Sequence, residues 1–81
     1  MMKEHDVVVL RRDLPEHRLL QGDMGAIVYI YGEHEAYEVE FVAGSGETVA
    51  LLTLEPSDIR ELGGAEILHA RSIPAVAGES P

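Results

Sequence analysis

Four carboxylates within eight residues, Glu33, Glu35, Glu38 and Glu40, are the densest group of chemically capable side chains in this 81-residue chain. Such a cluster can hold a hard divalent cation or present negative charge to a basic partner. A calcium loop needs oxygen ligands at alternate positions around a tight glycine turn, as in D-x-[DN]-x-[DN]-G, and no such run occurs here. A metal is therefore not expected. Glu38 and Glu40 fall on one face of an extended segment, about 7 Å apart, which like charges tolerate when solvated. Two readings remain. The four glutamates form a docking patch for a basic protein, or they are a solvated edge that discourages sheet-to-sheet aggregation.

The other reactive side chains are scattered. His5, His17, His34 and His69 lie in predicted loops or termini, none four residues from another, and the chain has no cysteine to complete a zinc site. They are read as solvated. Ser45, Ser57, Ser72 and Ser80 lack a nucleophile-elbow context. Gly44-Ser45-Gly46 reads as a turn, because the lysine and helix of a phosphate-binding loop are missing. No catalytic residue and no cofactor are expected.

Charge narrows the partners. Fifteen acids against six bases give a net charge of −9. Nucleic-acid binding draws on a basic footprint that releases counterions from phosphates. Tyr29, Tyr31 and Tyr37 could stack on bases, but Arg11, Arg12 and Arg18 are too few to offset the acids. A nucleic-acid-binding barrel is thus a third alternative opposed by charge, and neither nucleic acid nor an anionic membrane is expected as partner. A basic protein is, because complementary fields raise its association rate, although acidity also serves plain solubility. The apolar run Val7 to Leu10 has four residues, far short of a signal or spanning segment, so a cytoplasmic location is expected.

These side chains must be positioned by short strands. Asp6-Val7-Val8-Val9-Leu10-Arg11 is rich in β-branched residues and reads as the first. A loop follows from Arg12 to Gln21, with Pro15 unable to continue a central strand; at least one of Leu19 and Leu20 plugs an open end of the fold, or the pair sits on a single turn of 3₁₀ helix. Gly22-Asp23-Met24-Gly25 reads as a structural turn, since glycine accepts positive φ and Asp bonds local backbone. Ala26 to Tyr31 is a second strand, and Gly32 to Glu35 a hairpin loop. In the third strand Tyr37, Val39 and Phe41 share the buried face by the period of two. Ala43 to Gly46 is a further turn. Glu47 to Leu54 is a fourth strand, apolar on both faces near its middle and hence expected to be covered on two sides. Glu55-Pro56-Ser57-Asp58 reads as a 3₁₀ turn before a last strand, Ile59 to Leu62.

This punctuation predicts one all-β domain, a small and strongly bent barrel over residues 1–62. Gly63-Gly64 marks the boundary of a tail, 63–81. Its first half holds Ile67, Leu68 and Ile73, apolar enough to order on a partner or a second copy. Its second half, from Pro74, is small and flexible in composition. A chain this short buries only about 60% of its unfolded surface, which motivates a homodimer as an alternative.

Residues 6 to 62 resemble a family of small bacterial proteins of unknown function with an SH3-like barrel. The likeness rests on Asp6-Val7-Val8-Val9-Leu10, Leu14-Pro15, Leu20-x-Gly22-Asp23-x-Gly25, Glu35 to Phe41 and Glu47 to Leu54. The glycine turn by itself is also similar to KOW-type ribosomal domains and to the β subunit of nitrile hydratases. The resemblance implies a five-stranded SH3-like barrel without catalytic residues. It further implies the small acidic half of a two-gene pair with a toxin-like protein, and so an antitoxin or immunity-type binder. An accessory subunit of a larger enzyme is the structural alternative.

Overall fold

The computed structural model describes residues 2–73, and the segment 74–81, read above as flexible, lies outside them. Among the described residues five strands form in chain order: β1 Val7–Leu10, β2 Met24–Tyr31, β3 Ala36–Val42, β4 Thr48–Leu54 and β5 Ile59–Glu61. All neighbours are antiparallel, in the order β4-β3-β2-β1-β5. The expected all-β, five-stranded architecture is present. The β2–β3–β4 meander, with β5 returning to β1, fits SH3-like connectivity. The hydrogen-bonded ladder is open, with β4 and β5 as its two edges.

Alternation in β3 sets the core. Tyr37, Val39 and Phe41 are buried while Ala36, Glu38 and Glu40 are half-buried on the opposite face. Ile27 of β2, Leu54 of β4, Ile59 of β5 and Val8 and Leu10 of β1 close over the same side. Complete burial of a side chain such as Ile27 contributes about 1.5–3 kcal/mol. Leu14 and Leu19 cap this core from the long loop, joined by reciprocal backbone hydrogen bonds of 2.8 and 3.1 Å around the 3₁₀ turn Pro15–His17. Leu19 is thus the plug, and Leu20 is exposed.

Two expectations need correction. Gly25 is not a turn residue. The turn lies at Gln21 and Gly22, the latter at φ +95°, and Gly25 is buried inside β2. A Cβ there would stand 2.7 Å from Val39 Cγ1, 2.9 Å from the Glu40 carbonyl oxygen and 2.9 Å from Phe41 Cε1. Glycine is required for space, so that β2 can approach β3, and not for φ. β4, in turn, is not covered on both sides. It is an edge strand, Leu51 is 53% exposed, and only Leu54 within it is buried.

Two irregularities reset which side chains face outward. A bulge at Val28 shifts the β2–β3 register between Ile27 and Tyr29. Because strand side chains alternate, one extra residue moves everything after it to the other face. Tyr29 and Tyr31, in phase with buried Gly25 and Ile27 by number, therefore point outward, and Ile30 turns in. A similar shift at Val49 separates the pairs Phe41–Ala50 and Val42–Thr48.

Candidate functional site

The outer face of β2–β3–β4 collects the groups with the most to offer a partner. Glu38 sits at its centre, directly between Tyr29 on β2 and Thr53 on β4. One row along, Glu40 lies between Ala26 and Leu51. The Thr53 hydroxyl donates to Glu38 Oε1 at 2.5 Å, and Tyr31 donates to the same oxygen at 3.1 Å. Thr48 donates to Glu40 Oε2 at 2.6 Å. The carboxylates are thereby oriented, while each keeps acceptor capacity for an incoming cation. Tyr29 and Tyr31 meet edge to face with centroids 4.9 Å apart, and both are exposed. Val42 and Leu51 add exposed apolar area. A carboxylate beside tyrosine rings suits a lysine or arginine, which gains an ion pair and a cation–π contact together.

Glu33 and Glu35 are exposed on the β2–β3 turn, beyond one end of this face. The turn is shaped by Gly32 and His34, at φ +59° and +64°, and by a hydrogen bond from Glu35 N–H to the Tyr31 carbonyl at 3.0 Å. His34 Nδ1 lies 3.3 Å from the buried Tyr37 hydroxyl. Glu38 and Glu40 thus share one face, and Glu33 and Glu35 form a separate acidic tip.

The tail residues divide as well. Ile67 is 92% exposed and Leu68 is 65% exposed, but Ile73 is half-buried. Two arginines account for this course. Arg60 of β5 grips Glu66 through both carboxylate oxygens at 2.7 Å, and Gly63 N–H donates to Glu66 as well. The guanidinium, with that N–H, brings the Glu66 carboxyl down to about 2. Farther on, Arg71 donates to Asp23 through Nε at 2.9 Å and Nη2 at 2.5 Å, and Nη2 also reaches the Arg18 carbonyl at 2.9 Å. Partial burial opposes ionisation of Asp23. The Arg71 guanidinium and the Leu20 N–H outweigh it and hold the carboxyl below its ordinary range.

Asp23 therefore does two jobs. It caps its own turn by accepting from Leu20 N–H at 2.8 Å, as expected, and it also anchors the tail. The anchor was missed in the sequence, where the only available signal was a single arginine among apolar tail residues. Residues 69–73 then run along one rim of an open cleft of about 420 Å³, floored by Leu19, Met24, Phe41 and Val49. The ionisable residues of that lining are Asp23, His69 and Arg71, and Asp23 and Arg71 are engaged with each other. Among the described residues no three His, Asp or Glu side chains converge as a metal site, and no helix is long and apolar enough to cross a membrane.

Residues 4–61 match the family described as Domain of unknown function (DUF4926). The chain belongs to this family. The DUF4926 match covers all five strands and stops before Gly63, so the arginine-anchored tail lies beyond it. No curated protein and no solved structure matches the chain.

Proposed function

We propose that this member of the DUF4926 family is a non-catalytic, acidic protein-binding module whose partner is a basic protein. The observation that carries the reading is the outer face of β2–β3–β4, where Glu38 and Glu40 lie among exposed Tyr29, Tyr31, Val42 and Leu51. Aromatic rings around a few oriented charges are the composition of a binding hot spot. The net charge of −9 steers a basic partner toward that face over a longer range. In its finer form, the partner is a co-encoded toxin-like protein that this chain neutralises in the cytoplasm. Glu33 and Glu35 contribute to steering, and Ile67 and Leu68, left exposed by the two arginine anchors, provide apolar contacts at the periphery.

The test is capture of partners with tagged protein at low and moderate salt, followed by kinetics with the captured protein. A basic partner released by salt supports the reading. Glu38→Lys/Glu40→Lys should then slow association at least about tenfold and flatten its salt dependence, since charges at an interface act mainly on the on-rate. Unchanged kinetics would sink the docking face. Recovery of the chain alone, at twice its monomer mass, would replace this reading with a homodimer.

A further inference from the structure

The two edges of the sheet are built differently. β5 has three residues, two of them charged, follows Pro56 closely, and has Arg60 tied to Glu66. Short length, charge and proline are the devices that keep an edge from recruiting another strand. β4 has seven residues, Thr48–Leu54, with no charge and no proline. It pairs with β3 on one side. Among the described residues nothing hydrogen-bonds to its other side. The irregularity at Val49 is near its start, which leaves Ala50 to Leu54 in regular register with β3. Such an edge offers a row of backbone donors and acceptors to an added strand.

Charge decides which strand. Antiparallel pairing of two copies over the full length of β4 centres on Leu51 and sets Glu47 of each copy against Glu55 of the other. Both are exposed, like charges placed opposite one another destabilise a sheet, and each copy carries −9 in total. The same two glutamates complement a strand with basic ends. We propose that the outer edge of β4 accepts, by strand addition, an extended segment of a basic partner protein, β-branched or apolar in its middle and carrying Lys or Arg at both ends. This rests on the reading of the chain as a binder of a basic protein and locates the partner's backbone.

The experiment uses the full ¹⁵N-labelled chain and synthetic peptides of about nine residues, the length of an ordinary strand with flanks. One alternates threonine and valine between terminal lysines. A second has terminal glutamates. A third keeps the lysines but is N-methylated along one edge and then along the other. The lysine peptide should move the amide signals of Ala50 to Leu54 and slow exchange of the outward-facing amides there. It should bind at least about tenfold tighter than the glutamate peptide, a gap that Glu47→Gln/Glu55→Gln narrows. Methylation of one edge should abolish binding, and methylation of the other should not.

Equal binding of both methylated forms overturns the proposal, as does failure of every peptide to shift Ala50 to Leu54. Shifts confined to Tyr29, Glu38 and Glu40 overturn the edge while leaving the basic-partner reading intact. Shifts in β4 caused equally by the glutamate peptide overturn the charge argument instead. Outward amides of β4 that are already protected in the free chain also overturn it. Protection that rises with concentration identifies a second copy as the occupant, and concentration-independent protection identifies residues 74–81.

Discussion

Gly25→Ala isolates the close approach of β2 to β3, on which the outer face depends. The added methyl would lie 2.7 Å from Val39 Cγ1 and 2.9 Å from both the Glu40 carbonyl oxygen and Phe41 Cε1. Ordinary contact begins near 3.4 Å, so the overlap is several tenths of an ångström on three sides. Val39 and Phe41 are 0% and 2% exposed and have little room to rotate away. The Glu40 oxygen belongs to the β2–β3 pairing at Ala26–Glu40, so relief requires the strands to part. Overpacking of this kind costs about 1–3 kcal/mol. Loss of glycine's freedom in the unfolded chain returns about 0.4–1 kcal/mol. The net destabilisation is about 1–2 kcal/mol, and for a domain of this size each kcal/mol lowers Tm by about 4–8 °C. Thermal melting followed by far-ultraviolet circular dichroism should therefore show a fall of about 5–15 °C. Gly44→Ala is the control, because its Cβ meets nothing within 4 Å and its φ is not positive. It should melt within about 3 °C of the parent. A Gly25→Ala melt indistinguishable from that of Gly44→Ala would refute the packing argument.

Other outcomes follow from the tail and the outer face. Arg71→Gln removes the side-chain bonds that tie residues 69–73 to Asp23 and should lower their ¹⁵N heteronuclear NOE values while Tm moves by only a few degrees, because few core contacts are lost; unchanged NOE values would mean that Asp23 is not the anchor. Asp23 and Glu66 have depressed folded-state values, so the stability they contribute is complete above their unfolded values of 3.8 and 4.5. It is lost as pH falls through the folded ones. The Glu66 carboxyl signal should titrate near 2 by NMR and return toward 4.5 in Arg60→Gln. Thr53→Val removes the 2.5 Å hydrogen bond to Glu38 and should cost no more than about 1 kcal/mol in urea unfolding, since the site is exposed. A loss well above that would mean that Glu38 serves the fold more than a partner.

Much of this architecture is legible in the chain. Alternation of Tyr37, Val39 and Phe41 against Glu38 and Glu40 is local physics, and it sets the buried face of β3 without help from elsewhere. Turn chemistry at Gly22, Gly32 to Glu35 and Ala43 to Gly46 is equally local, as is the 3₁₀ turn Pro56–Asp58. The candidate face is less legible. Glu38 and Glu40 stand out as a pair, but the tyrosines beside them do not. Counted from Gly25 and Ile27 by a period of two, Tyr29 and Tyr31 belong inside. The bulge at Val28 depends on how β2 and β3 match along their length, which no local pattern records.

The amino-acid sequence by itself determined the class of fold, the number of strands, most of the turns and the acidic character, because each follows from short-range sterics and periodicity. Tertiary structure decided three things. It turned Gly25 from an expected turn residue into a point of close packing. It brought Asp23 and Arg71, 48 residues apart, into one ion pair that folds the tail back. It made β4 an open edge by placing β5 against β1 and leaving the ladder unclosed. Each depends on which surfaces meet in three dimensions, and contacts between distant residues leave no periodic trace in a single chain.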